Sequence, residues 1–362
     1  MSNRILYQAQ SLFVGNSPAT GTLTGTYGQP GSVTNDTLHQ LYRITSVNHS
    51  FTVTRQDINQ FGQLAAIDRI ILQAPVVNLD FSYHVANVGN ESALGFNVAG
   101  TNTAVQYFLD TTQDSKNYYI RVVPEGNDVV GYTGIDGGVF GIGNGYITSY
   151  SSQGAVGAIP SASIRVEANN IKYDTFTSGV GSPAVNPADG SLVQGSYYVP
   201  IATSGAAGQT VSALQPGQIQ LNLNGAGIGL SGVCLQSYNL SIDLRREPLQ
   251  CLGQKFPYVR LMTFPVTATL DVEAIRQNLG SGSLSNLICN DPAYNLNVSL
   301  YAPACTGLGQ LQVSLGLSGA KLESQNETAS IGPSERVTMK FTAQLGGPQQ
   351  SGIGFFLGGS LT

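Results

Sequence analysis

Tryptophan is absent, histidine occurs three times, and charged residues fill only 10% of 362 positions, well below the roughly 25% of an average soluble domain. Each shortage excludes something. General acid and base catalysis usually draws on histidine, yet His39, His49 and His84 are the whole supply, and none has a counterpart in the internal repeat described below. The chain contains no G-x-S-x-G elbow, no H-E-x-x-H pair and no Walker loop. The expectation is therefore a protein that is not an enzyme, with no cofactor, no catalytic residues and no metal site. Asp80, Ser82 and His84 would share one strand face and could offer two metal ligands, but the repeat carries Ile275 in place of the histidine; a solvated polar face is the expected reading.

The missing tryptophan weighs against a sugar-binding platform, although 17 tyrosines could build one. A net charge of −5 with only 16 Lys and Arg lacks the basic clusters that displace counterions from phosphates. That argues against affinity for DNA, not against DNA passing by. No apolar run reaches 18 residues, and Met1 to Gln10 has no apolar core of signal-peptide length, so neither a membrane helix nor secretion is expected. So few charges suit a subunit whose faces are covered by neighbours, because uncharged polar surface loses less on burial than charged surface does.

Cysteine is also scarce: Cys234, Cys251, Cys289 and Cys305 all lie in the second half, at spacings of neither a zinc site nor a redox pair. Buried free thiols are expected, with a Cys289 to Cys305 disulfide as the alternative in an oxidising medium. Glycine, at 44 residues, is plentiful. Gly227, Gly229 and Gly232 satisfy G-x-G-x-x-G, but the following VCLQSYNLSIDL reads as a strand, where a dinucleotide site would need a helix. The glycine and aromatic run from Gly131 to Tyr150 reads as a flexible loop entering a strand; the alternative is an inter-subunit contact through Tyr132 and Tyr146.

Displaced by 191 positions, the chain matches itself. Ser46, Asn48, Ser50, Arg55, Gly62, Gln63, Arg69, Leu79 and Asp80 fall on Ser237, Asn239, Ser241, Arg246, Gly253, Gln254, Arg260, Leu270 and Asp271, nine identities in 35 gapless positions. A fainter match at 175 positions lays Gly157 on Gly332 and Ile164 on Met339. A repeat this long is a duplicated domain, since solenoid periods are about 20 to 50 residues. The expected organisation is an N-terminal arm (1–37), a first unit (38–174), a Gly, Ser, Ala and Pro-rich linker (175–228), a second unit (229–347) and a tail (348–362).

Both units read as β. Val77, Leu79, Phe81, Tyr83 and Val85 alternate with polar residues, as do Val266, Ala268, Leu270, Val272 and Ala274, the period of two expected where one sheet face packs and the other meets water. Val337, Met339 and Phe341 repeat the pattern. Short helices are expected only over Ala104 to Leu109 and Glu273 to Leu279.

The R-x-x-x-x-x-x-G-Q pattern of Arg55, Gly62 and Gln63, its echo at Arg246, Gly253 and Gln254, and the closing stretch from Gly319 to Leu345 (GAKLESQNETASIGPSERVTMKFTAQL) together resemble phage tail tube proteins. The likeness covers both repeats. It implies two tandem β-sandwich domains, each with a flanking short helix and a long hairpin contributing to a continuous β-barrel around the tube lumen. Members with two such domains form three-subunit rings of pseudo-six-fold symmetry that stack into a tube. The implied partners are further copies of the chain and other tail proteins such as a terminator, a baseplate or tip, or a sheath. DNA would pass through the lumen unbound, in a virion tail assembled in the host cytoplasm.

On that reading Asn78, Asp80, Ser82, Thr269, Asp271 and Glu273 line the lumen; the alternative places these strands on an outer sheet face. Arg55 and Arg246 are expected in inter-subunit or inter-strand ion pairs, or at solvated strand ends. The competing functions are a virion glycan-binding β-sandwich and a capsid or decoration protein, with a hydrolase dependent on His84 further behind.

Overall fold

The structure, a computed structural model, describes residues 9–16, 38–109, 114–134, 136–175, 180–193, 196–197, 199–204, 219–224, 234–275, 292–302, 309–328, 336–346 and 353–361. The chain is all-β, as the alternating pattern requires, and every pairing between its named strands is antiparallel. The first half holds β1 (Gln10–Asn16), β2 (His39–Leu41), β3 (Ile44–Thr52), β4 (Arg55–Ile58), β5 (Asp68–Ile71), β6 (Val76–His84), helix α1 (Gly89–Leu94), a 3-10 turn (Gln106–Leu109), β7 (Lys116–Val122), β8 (Gly138–Ala155), β9 (Ser161–Ala168) and β10 (Asn170–Thr175). Two short strands follow, β11 (Val180–Gly181) and β12 (Ser196–Tyr197). The second half holds β13 (Ile219–Asn224), β14 (Cys234–Asp243), β15 (Arg246–Leu249), β16 (Val259–Met262), β17 (Thr267–Ile275), β18 (Tyr294–Tyr301), β19 (Leu311–Thr328), β20 (Arg336–Gln344) and β21 (Gly354–Gly359).

The pairings of the first half recur one by one in the second. β3 with β6, β4 with β5, β6 with β9, β9 with β8, β8 with β7 and with β10, and β7 with β1 are matched by β14 with β17, β15 with β16, β17 with β20, β20 with β19, β19 with β18 and with β21, and β18 with β13. Register follows the sequence match. Asn48 stands opposite Asp80 as Asn239 stands opposite Asp271, and Asp57 opposite Arg69 as Pro248 opposite Arg260. Even the bulges coincide: between Ile44 and Ser46 in β3 and between Leu235 and Ser237 in β14, then between Ile147 and Ser149 in β8 and between Leu322 and Ser324 in β19.

Within each half the long strand belongs to two sheets. Residues 138–143 of β8 lie between β7 and β10, and residues 146–153 pair with β9; β19 divides in the same way between β18 and β21 on one side of its bulge and β20 on the other. The inward faces of the two sheets share one core, in which Leu79, Phe81 and Ile164 meet Leu12, Tyr118 and Ile142, with Phe81 and Tyr118 ring centroids 6.2 Å apart. In β6, Val77, Leu79, Phe81 and Tyr83 are buried while Asn78, Asp80 and Ser82 face outward; in β17, Ala268, Leu270, Val272 and Ala274 are buried. Each large apolar side chain so placed contributes about 1.5–3 kcal/mol.

Several expectations from the sequence are corrected. Most of the glycine run from Gly131 to Tyr150 is strand β8, not a loop. Its glycines serve close packing: a Cβ on Gly143 would sit 2.2 Å from the Pro183 carbonyl oxygen. The stretches expected to be arm, linker and tail each supply a strand, β1, β13 and β21, hydrogen-bonded to β7, β18 and β19. Glu273 to Ile275 close strand β17 and do not open a helix, because Ala274 continues the buried alternation and Ile275 pairs with Arg336; residues 276–279 lie outside the described residues. The 3-10 turn falls within the expected Ala104 to Leu109 stretch. Helix α1 carried no periodic signal, since six residues are too few for one.

Asn90 of α1 bonds the Tyr42 backbone in both directions at 2.9 Å. Its neighbour Glu91 is fully buried, accepting from the Tyr83 hydroxyl at 2.8 Å. Burial pushes the Glu91 carboxyl above the usual range, against the pull of the Tyr83 hydrogen bond and the Arg43 charge. A carboxyl with a raised folded-state pKa loses stability as pH climbs from the unfolded value of 4.5 through the folded one. Glu91→Gln keeps an acceptor for Tyr83 and cannot ionise. Its thermal midpoint is therefore expected to gain on the parent as pH rises from about 4.5 to 8; parallel curves would assign the pH dependence elsewhere.

Candidate functional site

Among the named strands, one pairing, a seam, joins the two units. β14 lies against the far part of β8, with Asn239 opposite Gln153, Leu240 opposite Ser152, Ser241 opposite Ser151 and Ile242 opposite Tyr150. This pairing joins both halves into one eight-strand succession, β3, β6, β9, β8, β14, β17, β20, β19. Its polar face is continuous across the seam. A row of hydroxyls runs through Ser46, Ser82, Ser163, Ser151, Ser241 and Thr269 in register. Asn78, Asp80, Thr269, Asp271 and Glu273 stand on this same face.

Cations that the sequence pattern did not single out stand beside these carboxylates. Arg165 Nε donates to Asp80 Oδ1 at 2.8 Å, Arg336 Nη1 donates to Glu273 Oε1 at 2.6 Å, and Lys340 stands opposite Asp271. Arg336 holds the Glu273 carboxyl below its ordinary value. The weak match at 175 positions, which sets Arg165 on Lys340, was the available signal.

Below the seam the hairpin of β15 and β16 grips the first unit. The Arg246 guanidinium is fully buried and bidentate on Asp114, through Nη1 to Oδ2 and through Nη2 to Oδ1 at 2.8 Å. Nε donates to the Ile147 carbonyl at 2.7 Å, and the Tyr146 ring lies 5.4 Å from the guanidinium carbon. Burial raises the Asp114 carboxyl while Arg246 pulls it down. Arg260 Nη1 donates to Glu167 at 2.8 Å, and the Lys255 and Phe256 amides donate to the Pro187 carbonyl. Arg246 and Tyr146 thus lie in a contact between the two units of the chain. Tyr132 packs beside a small cluster around Tyr119 and Val129, its carbonyl accepting from Arg121 Nη2 at 2.8 Å. Asp114 and Glu167, so far from their partners in sequence, gave no signal.

The repeat makes each residue at this seam comparable with its counterpart at the opposite end of the chain, where no such seam forms among the described residues. Among the described residues β3 pairs only with β6, and residues 321–328 of β19 pair only with β20. β3 corresponds to β14, and the far part of β19 to that of β8. Ile242 is 2% exposed and Leu240 is buried, whereas their counterparts Phe51, at 65%, and His49 are open to solvent. The Arg246 and Arg260 side chains are buried; Arg55 and Arg69 are exposed, Arg69 making an exposed 2.5 Å bond to Asp57 of its own hairpin.

The exposed Cys251 departs from the expected buried thiols; Cys289 and Cys305 lie outside the described residues, as does the G-x-G-x-x-G stretch, whose downstream segment is strand β14. Among the described residues no three His, Cys, Asp or Glu side chains converge as metal ligands would, and no helix is long and apolar enough to cross a membrane. No family model and no curated protein matches the chain.

Proposed function

We propose that this chain is a structural subunit of a bacteriophage tail tube, closing head-to-tail with copies of itself into rings around a DNA conduit. One observation carries the reading: the chain makes the β8 to β14 seam once internally and, among the described residues, leaves the two halves of that seam unmatched at its ends, on the far part of β19 and on β3. A surface that complements a different surface of the same chain builds rings or filaments, not two-fold dimers, and joining β19 to β3 removes the exposed edges that would otherwise template aggregation. Three copies per ring comes from the resemblance to two-domain tail tube proteins.

The polar face supports a conduit. Its rows of hydroxyls and amides, with carboxylates standing beside cations, offer phosphates no basic cluster to hold them. Asn78, Asp80, Ser82, Thr269, Asp271 and Glu273 keep their proposed place on the lumen wall. Terminator, baseplate or tip, and sheath proteins would be the partners at the tube ends and outer surface, within a virion tail.

The seam supplies the register of the joint between copies. Transferred by the repeat, Ile242 opposite Tyr150 becomes Phe51 opposite Gln325, and Ser241 opposite Ser151 becomes Ser50 opposite Asn326. Directly opposed positions are within disulfide reach. In a Cys251→Ser background, Ser50→Cys with Asn326→Cys is expected to oxidise to a covalent ladder ending at three chains, while Thr52→Cys with Asn326→Cys, two positions out of register, links poorly. Electron microscopy of the concentrated parent should show rings and tubes. A monomer, a two-fold dimer or a closed shell would overturn the proposal.

A further inference from the structure

β3 and the far part of β19 carry the two halves of the seam a second time, with ionisable residues where the seam has neutral ones. At the seam, Leu240 of β14 stands opposite Ser152 of β8. Both side chains are buried, and the Ser152 hydroxyl lies 3.4 Å from that of Tyr238. Neither residue of the pair can carry a charge. Transferred by the repeat, through 191 positions for β14 onto β3 and 175 for β8 onto β19, the same pair becomes His49 opposite Glu327.

The two side chains point the way this pairing needs. His49 projects to the core side of β3, where its ring lies 5.1 Å from that of Phe140, just as Leu240 projects into the core from β14. Gln325 and Glu327 share one side of β19, the Gln325 amide donating to Glu327 Oε1 at 2.9 Å. Their counterparts Tyr150 and Ser152 are both buried in β8. A joint that repeats the seam therefore sets an imidazole of one copy across from a carboxylate of the next, with Cβ atoms about 4.5–5.5 Å apart. The layer in which they meet is dry at the seam.

Within its own chain His49 has apolar company. From β6 it faces Leu79, flanked by Val77 and Phe81, all buried. From β8 comes Phe140, and beyond it, on β10, the exposed Tyr173, whose ring lies 5.0 Å from that of Phe140. β3 itself, ITSVNHSFT, holds no other ionisable residue. Burial against these groups pushes the His49 imidazole below its ordinary 6.5, so the separated subunit carries it mostly neutral near pH 7.

We propose that the joint between copies is closed by an ion pair of His49 with Glu327, so that assembly takes up a proton and is governed by pH. The partner is a second copy of this chain; the inference rests on the ring reading and adds what controls the joint. Desolvation is the physical reason. Taking the Glu327 carboxylate into a dry layer opposite a neutral imidazole costs its hydration with no return from the histidine, whereas an imidazolium supplies a charge-assisted hydrogen bond. The carboxylate raises the imidazole pKa in the joint above its value in the separated subunit. The contribution to assembly is therefore fully present below the separated value and is lost as pH rises through the assembled one. The seam, built on Leu240 and Ser152, has no such dependence, so the fold stays closed where the ring opens.

The test is sedimentation velocity of the full chain at graded concentrations between about pH 8 and about pH 6, the range in which histidine titrates. One proton taken up per joint changes the association constant by up to about tenfold per pH unit, so the parent should associate about tenfold or more tightly at the lower end. His49→Gln and Glu327→Gln should each flatten this dependence, leaving the smaller easing of repulsion that any anionic chain shows as pH falls. His49→Leu with Glu327→Ser writes the seam's own pair into the joint and should form rings as readily at the upper end of the range as at the lower. His49 and Glu327 are exposed in the separated chain, so all of these variants keep the parental fold, which circular dichroism verifies. Parent rings whose pH dependence survives the substitutions unchanged would overturn the ion pair and leave the ring intact. A parent and a seam-copied variant that both stay monomeric at every pH and concentration would overturn the ring reading itself.

Discussion

Replacing Arg246 by methionine is expected to cost about 3–5 kcal/mol of unfolding free energy, because Asp114 would be left buried without its counter-charge. Arg55→Met, the same change at the equivalent position of the other unit, is expected to stay within about 0.5 kcal/mol in the monomer. The sequence cannot tell these two arginines apart: each sits seven residues before a Gly-Gln pair on the first strand of a hairpin. What separates them is the seam, which buries Arg246 on Asp114 and leaves Arg55 in solvent. Urea unfolding of both variants makes the comparison. Arg246→Met with Asp114→Leu, which removes both charges, should regain much of the loss, since a buried ion pair replaced by apolar groups is often near neutral. Equal effects at Arg55 and Arg246 would mean that the seam contributes no burial energy.

The second contrast sets folding against assembly. Ile242→Lys places a charge in the closed seam opposite Tyr150 and is expected to cost more than about 4 kcal/mol, enough to unfold a marginal domain. Phe51→Lys should leave the monomer's thermal midpoint nearly unchanged, because that side chain is already largely in water. Its effect should appear on association: pairing β3 with β19 would bury the new ammonium, weakening the joint about 100-fold or more, a difference near 3 kcal/mol. Sedimentation at graded concentrations reads this directly. A Phe51→Lys protein that forms rings as readily as the parent would remove β3 from the joint.

Much of the architecture was legible because it is encoded locally. The alternation of Val77, Leu79, Phe81 and Tyr83 with Asn78, Asp80 and Ser82 specifies strand and facing together, since a one-residue slip would turn every apolar side chain into water. The displacement of 191 positions carried the register of β3 on β6 and of β14 on β17, down to the bulge. Glycine misled, because a residue without a side chain serves a loop and a tight contact equally well. The Gly143 approach to Pro183 is visible only once both are placed, and the strand β8 was hidden behind it. Helix α1 was missed for another reason: its place is held by Asn90 bonding Tyr42 and by Glu91 beneath Tyr83, contacts with strands outside it.

By itself, then, the amino-acid order determined an all-β chain, a duplicated unit and the faces its strands present, because side-chain period and repeat are properties of neighbouring residues. Only the tertiary structure decided that the copies share one sheet, that Arg246 finds Asp114 across 132 positions, and that β3 and residues 321–328 of β19 each have one strand neighbour among the described residues. Those facts depend on which distant groups lose water together, and burial is a property of the assembled fold that no local pattern contains.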